Sequence, residues 1–346
     1  VQAYRVIEWE RPAELVDIPV PSPGPGQVLV KVAGNGLCHS DLAMQQVPES
    51  IGDALGWHVP FTLGHEIAGQ VAAVGDGVRA VGEGDPVALL SPASCGTCRA
   101  CRRGHESACP HGAVGRGYGR DGGLAGYVLV ERERDCLALG TLDPAEAGPL
   151  TDAGATSHHA VARVAPHLAE DASAVVIGAG GLGAFAVQIL RALTPARVVA
   201  IDVNAGRREL AAELGAHDVL AGVDDDTASH VRALLEGVGA DAVLDFVGTD
   251  ATIRAGLACV EPGGAFGLVG AGGGTFRGPW FGGLPQDVEV FTFERSDVAD
   301  ARAVIELVAD GRVRNVVDRF QLSRVADAYA ALEAGALRGR AVVAPD

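Results

Sequence analysis

Lysine is almost missing from this sequence: Lys31 is the only one, and 27 basic residues face 44 acidic ones for a net charge of −17. No cluster of basic residues exists, which argues against nucleic acid or an anionic membrane surface as partner, since both recruit clustered Lys and Arg. Long hydrophobic runs are missing too. No stretch reaches the roughly 20 apolar residues that a membrane-spanning helix requires. Aromatic residues are scarce at 5%, but hydrophobic residues as a whole make up 48% and charged ones only 21%, the balance of a folded, soluble protein. The opening VQAYRVIEWERPAELVD alternates apolar and polar positions and is broken by charges, the pattern of a strand rather than of a signal peptide. A cytoplasmic location is therefore expected. There thiols stay reduced, and clustered cysteines bind metal more often than they pair.

At 346 residues the chain exceeds the roughly 250–300 at which one hydrophobic core stops growing, so two domains are expected. Up to about residue 150 short strand-like runs (QVLVKVAG, EIAGQVAAVG, DPVALL, GYVLVER) are separated by Pro and Gly, which predicts an antiparallel, barrel-like β domain. From there the rhythm changes. ASAVVIGAGGLGAFAVQILRAL, ARVVAIDVN, GRRELAAELGA, DAVLDFVG and GGAFGLVG alternate nearly all-apolar strands with helices, as a parallel sheet covered on both faces requires. A further helix, ADARAVIELVADG, and a last strand, GRAVVAPD, follow after about residue 290.

VVIGAGGLGAFAVQIL sets Gly178, Gly180 and Gly183 in a G-x-G-x-x-G between an apolar strand and a helix. There glycines permit a tight turn and close backbone approach, and the helix N-terminus offers free N–H groups and partial positive charge to a pyrophosphate. The next strand, VVAID, ends in Asp202, nineteen residues after Gly183. A carboxylate there accepts hydrogen bonds from the adenine ribose and repels a 2′-phosphate, which favours NAD over NADP; Arg207 nearby softens that preference. Gly181, Leu182 and Val269 are carried with these as cofactor-binding positions.

CGTCRACRRGHESAC spaces Cys95, Cys98, Cys101 and Cys109 as C-x2-C-x2-C-x7-C. Four thiolates so placed can close a tetrahedral shell around zinc, with no position left for substrate. The competing iron–sulfur reading takes support from Pro110 after Cys109, but that motif puts three residues, not seven, before its last cysteine. Such a site is structural. Chemistry needs an open metal position, for which candidates stand in GLCHSD (Cys38, His39, Ser40, Asp41), TLGHEIAG (His65, Glu66) and PLTDAGATSHHA (Asp152, Thr156, His158, His159). Spacing alone does not select among them.

GLCHSD, GHE, the four-cysteine lobe, PLTDAG and VVIGAGGLG with Asp202, in this order and over nearly the whole chain, resemble the zinc-dependent medium-chain alcohol dehydrogenases, most closely the bacterial NAD-dependent secondary alcohol dehydrogenases. The resemblance implies an α/β protein with a Rossmann doubly wound parallel sheet and a GroES-like, partly open antiparallel β-barrel. The barrel is formed by residues 1–149 and 291–346, with the zinc lobe near 91–110, and the Rossmann domain by 150–290. It makes Cys38, His65 and Asp152 the ligands of a catalytic zinc, with Asp152 standing where some relatives carry cysteine. Glu66 matches an acid behind the metal, Ser40 the hydroxyl that takes the substrate proton, His39 and Arg340 positions near the cofactor pyrophosphate, and Thr156 one beside the nicotinamide.

The cofactors so implied are two Zn2+ per chain and NAD. The activity is reversible oxidation of an alcohol, a secondary one first of all, to a ketone or aldehyde. A polyol, a primary alcohol or a biosynthetic intermediate is the alternative substrate, and a non-catalytic dinucleotide-binding relative the other reading. A homotetramer or homodimer is expected. Two departures stand out. Ala43 replaces the histidine by which many relatives pass the proton to solvent, so the relay is expected to run from Ser40 through the nicotinamide ribose to water or to His39, which joins Ser40 and Glu66 as a catalytic candidate. Ala93 replaces a bulky aromatic, which suggests a roomier pocket unless Trp57, Glu294 and Arg295 close it.

Overall fold

The computed structural model describes residues 1–91 and 93–346, with the side chains of all of these save Trp280. The chain forms two compact units, one of residues 1–155, 295–309 and 315–346, the other of 156–294 and 310–314. The expected borders at 149/150 and 290/291 thus shift by a few residues, and a short segment returns. The helix Ala153–Val164 carries the first border within it. Residues 310–314 join the second unit because the Gln188 side chain accepts from Arg314 N–H (2.8 Å) and donates to the Arg314 carbonyl (3.1 Å).

In the first unit a seven-stranded sheet is built around the nine-residue strand Val28–Gly36. That strand pairs antiparallel with Glu66–Val74 along its length, with Tyr127–Val130 at its start and with Arg340–Ala344 at its end. Two irregularities of register, at Leu29/Val30 and Val32/Gly34, accompany this change of partner; such bulges bend and twist a strand. Alternation of Val28, Val30 and Val32 with Ile67, Val71, Val87, Leu89, Val128 and Val130 fills one core. Among the described residues only the pair Val317–Gln321 and Arg340–Ala344 runs parallel in this sheet, a feature that the sequence pattern does not announce.

The second unit holds six parallel strands. Numbered along the chain from Ser173–Ile177, they lie in the order 3-2-1-4-5-6. This is the doubly wound dinucleotide-binding arrangement, whose ligand crevice opens where the order reverses, between Ser173–Ile177 and Ala240–Asp245. Strand Ser173–Ile177 is buried throughout, which accounts for its unbroken apolar run. Among the described residues no helix is long and apolar enough to cross a membrane.

Candidate active site and metal centres

The glycine turn sits at the crevice edge, and each glycine has its own cause. Gly178 has φ +87°, open to glycine at little cost. Gly180 is the N-cap of the helix Gly181–Leu193. A Cβ on Gly183 would stand 1.8 Å from the Gly178 carbonyl oxygen, so only glycine lets this helix approach the strand end. Asp202 is buried just beyond the second strand, where its Oδ2 accepts from Ala179 N–H and its Oδ1 from Asn204 N–H, both at 2.8 Å. The acid read as a ribose partner therefore also pins the glycine turn. Arg207 Nη1 is 4.0 Å from Asp202 Oδ2 and lies against Gly180. Val269, after the fifth strand, donates its N–H to the Asp245 carbonyl, and Thr156 is buried on the helix Ala153–Val164.

The four lobe cysteines come together as free thiols, their sulfurs all within 4.8 Å of one another. Cys95 and Cys101 sulfurs are 4.0 Å apart, as are those of Cys98 and Cys109. A disulfide needs about 2.05 Å, whereas thiolates about 2.3 Å from one zinc at tetrahedral angles stand about 3.8 Å apart. Backbone N–H groups already point at the sulfurs: Thr97 and Cys98 donate to Cys95 at 3.4 and 3.2 Å, and Cys101 donates to Cys98 at 3.5 Å. Hydrogen bonds from Thr97 and Cys98 lower the Cys95 thiol to about 5, whereas burial pushes Cys101 up to about 12.

Cys38, His65, Glu66 and Asp152, separated by up to more than a hundred residues in the chain, meet in the first unit with ligand atoms within 4.8 Å of each other. His65 is fully buried, and its Nε2 has no hydrogen bond although Asp152 Oδ2 is 3.5 Å away. Two ligands at about 2.0–2.1 Å from one zinc would be about 3.3 Å apart, so this pair has the spacing of two ligands of one ion. His65 Nδ1 lies 3.1 Å from Asp41 Oδ1. Neither atom of this pair has a hydrogen bond of good geometry, but a carboxylate this close favours the ring proton on Nδ1, the tautomer that leaves the Nε2 lone pair for a metal. Asp41 is at the same time the third residue of the short helix His39–Met44, where its Oδ2 accepts from Cys38 N–H at 3.0 Å. Its supporting role is absent from the sequence reading, where an acid at this position has an ordinary capping explanation.

Burial opposes a charged His65, but Tyr118 first, then Asp41 and Asp152, outweigh it and push the pKa of the metal-free ring well above the usual value. Burial likewise works against ionised Asp152, yet the close polar contact with His65 and its charge, with Arg340, keep that carboxyl below its usual range. Glu66 differs: burial raises it to about 7 against the pull of Arg340. Its carboxylate accepts from Arg340 Nε at 3.1 Å and from Arg340 Nη2. The space for it comes from glycine, since a Cβ on Gly36 would lie 1.9 Å from Glu66 Oε2. Arg340, expected near a pyrophosphate, is thus buried against Glu66, with Asp152 Oδ2 at 3.8 Å.

Ser40 is partly buried on the same short helix and shares a hydrogen bond with Tyr118 Oη at 3.2 Å. His39 and Ala43 are exposed. Ala93 faces Gly115 closely enough that a methyl there would sit 2.9 Å from Ala93 Cβ, and Arg295 lies along Gly112. Trp57 is buried, donating to the Ala113 carbonyl at 2.7 Å, and Glu294 is exposed.

A doubly wound dinucleotide fold, a glycine turn with its acid, and a Cys–His–carboxylate cluster that could hold a metal are the features of a nicotinamide oxidoreductase. Comparison with known proteins agrees. Residues 24–140 match the alcohol dehydrogenase GroES-like domain and residues 181–310 the zinc-binding dehydrogenase family. An NAD-dependent alcohol dehydrogenase of Sulfurisphaera tokodaii is 34% identical over the whole of both chains, and a D-arabinose 1-dehydrogenase (NADP(+)) of Saccharolobus solfataricus is 31% identical over 98% of this chain and 96% of its own. The crystal structure of the alcohol dehydrogenase from the archaeon Aeropyrum pernix superimposes with a TM-score of 0.91, at 33% identity and full coverage of both chains. The chain belongs to the zinc-dependent medium-chain alcohol dehydrogenase family and is an oxidoreductase of that family. These relatives are archaeal, so the expected closeness to bacterial members gains no support.

Proposed function

We propose that the chain oxidises a secondary alcohol to a ketone, reversibly, with NAD as hydride acceptor. Cys38, His65 and Asp152 hold the catalytic zinc, and Cys95, Cys98, Cys101 and Cys109 hold a structural one. The observation that carries this reading is the convergence of three donors around a buried His65 Nε2 that has no hydrogen bond, on the same unit as Ser40. When bound, zinc supplies Lewis acidity that brings an alcohol proton within reach of neutral pH, and NAD supplies the hydride acceptor. The protein's own residues do the rest. Ser40 accepts the alcohol proton, Asp41 orients His65, and the Arg340 guanidinium neutralises Glu66 so that the cluster does not gather three uncompensated anions. Gly178, Gly180, Gly181, Leu182 and Gly183 present the helix N-terminus to the pyrophosphate, and Asp202 receives the adenine ribose.

The S. tokodaii relative supports NAD, and the arabinose dehydrogenase keeps a polyol as the second reading. A panel of alcohols and ketones of graded size, assayed with NAD and NADP, tests the proposal. The reading requires secondary alcohols and NAD to be preferred. Preference for ethanol over every secondary alcohol, or equal efficiency with both cofactors, contradicts it.

A further inference from the structure

Tyr118 stands between two glycines in RGYGRDGG, and the structure shows why. Gly117 and Gly119 have φ of +76° and +75°, in the left-handed region that favours glycine. A Cβ on Gly117 would come within 2.8 Å of the Gly64 backbone, and one on Gly119 within 2.6 Å of the Trp57 ring. The turn is thereby wedged against the residue preceding His65 and against Trp57. The tyrosine ring lies on the His65 imidazole, with centroids 4.7 Å apart, and has Trp57 at 6.2 Å. So held, it brings Oη to 3.2 Å from Ser40 Oγ, from a position 78 residues away in the chain. Hydrogen bonds of this kind are often long without substrate and tighten in the complex.

We propose that Tyr118 positions Ser40 and carries the proton away from it, in place of the route through the nicotinamide ribose to water or His39 that the loss of a histidine at Ala43 leads one to expect. The inference rests on the zinc alcohol dehydrogenase reading above. As the substrate O–H breaks, its proton bonds to Ser40 Oγ. The Ser40 O–H proton passes to Tyr118 Oη, and the proton that Tyr118 held leaves to a water molecule. One O–H bond forms for each that breaks, and Tyr118 begins and ends neutral. An aromatic ring alone would satisfy the tilted contact with His65; the hydroxyl has its use in the bond to Ser40.

The test uses the zinc-loaded enzyme with NAD and trifluoroethanol, an alcohol that gives up its proton readily and its hydride poorly. Proton release is followed with a pH indicator on mixing, apart from any turnover. Tyr118→Phe keeps the ring and should keep zinc content and NAD affinity, while proton release slows by roughly 10²-fold, the lower end of what positioned proton transfer supplies. With an oxidisable alcohol kcat should fall and KM change little. Ser40→Ala should slow release as much, and Ser40→Ala with Tyr118→Phe no further, because two residues of one path do not add. Release from Tyr118→Phe at the unmodified rate, or additive losses in the double variant, would overturn the path. Absence of zinc or of any proton release in the unmodified enzyme would instead overturn the alcohol dehydrogenase reading, and the path with it.

Discussion

Glu66 and Arg340, 274 residues apart in sequence, form a two-pronged ion pair in the interior of the first unit. The pair ties the end of the chain to the strand that follows His65. Removing Arg340 forces the buried Glu66 carboxyl either to stand uncompensated or to take a proton, which costs up to about 3–5 kcal/mol. Arg340→Met should therefore lower stability to denaturant by that order, and Glu66→Gln added to it should restore more than half. A double variant no more stable than Arg340→Met would show that the loss lies in packing rather than in the uncompensated carboxylate.

Gly183→Ala places a methyl 1.8 Å from the Gly178 carbonyl. The contact is with backbone, so the helix must move. A stability loss of about 1–3 kcal/mol is expected, as for overpacking, together with weaker NAD binding in titration calorimetry. Gly206→Ala, at a position where the nearest contact is 3.4 Å, should be near neutral and serves as the control.

Asp202→Ala should weaken NAD binding more than a lost ribose contact would alone, because the Ala179 and Asn204 amides lose their acceptor as well. Loss of one charged hydrogen bond, about 1.5 kcal/mol, is already roughly tenfold in affinity. Arg207, released from Asp202, should meanwhile reduce discrimination against NADP in comparative kcat/KM.

Much of this architecture can be read from local pattern. The alternation of apolar strands with helices after residue 150 anticipates the parallel sheet, and the spacing of Gly178, Gly180 and Gly183 locates its turn. The cluster of Cys95, Cys98, Cys101 and Cys109 is legible for the same reason: all four thiols fall within fifteen residues. Cys38, His65 and Asp152 are not, since their meeting depends on how three separate segments fold, and resemblance had to select them. Tyr118 gives no local sign of Ser40, and Arg340 none of Glu66. Asp41 hides for a different reason, because an acid in the first turn of a helix has an ordinary capping explanation that masks its contact with His65.

The Arg116–Glu131 pair offers a pH signature. Burial acts to raise the Glu131 carboxyl, but Arg116 at 2.9 Å and Arg120 at 3.1 Å outweigh it and hold the folded-state pKa below the ordinary 4.5. Its contribution should be complete above that unfolded value and vanish as pH falls through the folded one. In urea melts the stability gap between the protein and Glu131→Gln should thus be constant near neutrality and close in acid. A gap that widens in acid would contradict the pair.

Zinc content bears most directly on the two-site account. Elemental analysis of the purified protein should give two zinc ions per chain, one for each buried ligand set. Asp152→Ala should retain one, with circular dichroism unchanged and alcohol oxidation abolished, since the loss is confined to the open site. Cys95→Ser should lose the other and melt earlier. Two zinc ions retained by Asp152→Ala, or iron with acid-labile sulfide in the lobe, would contradict the account.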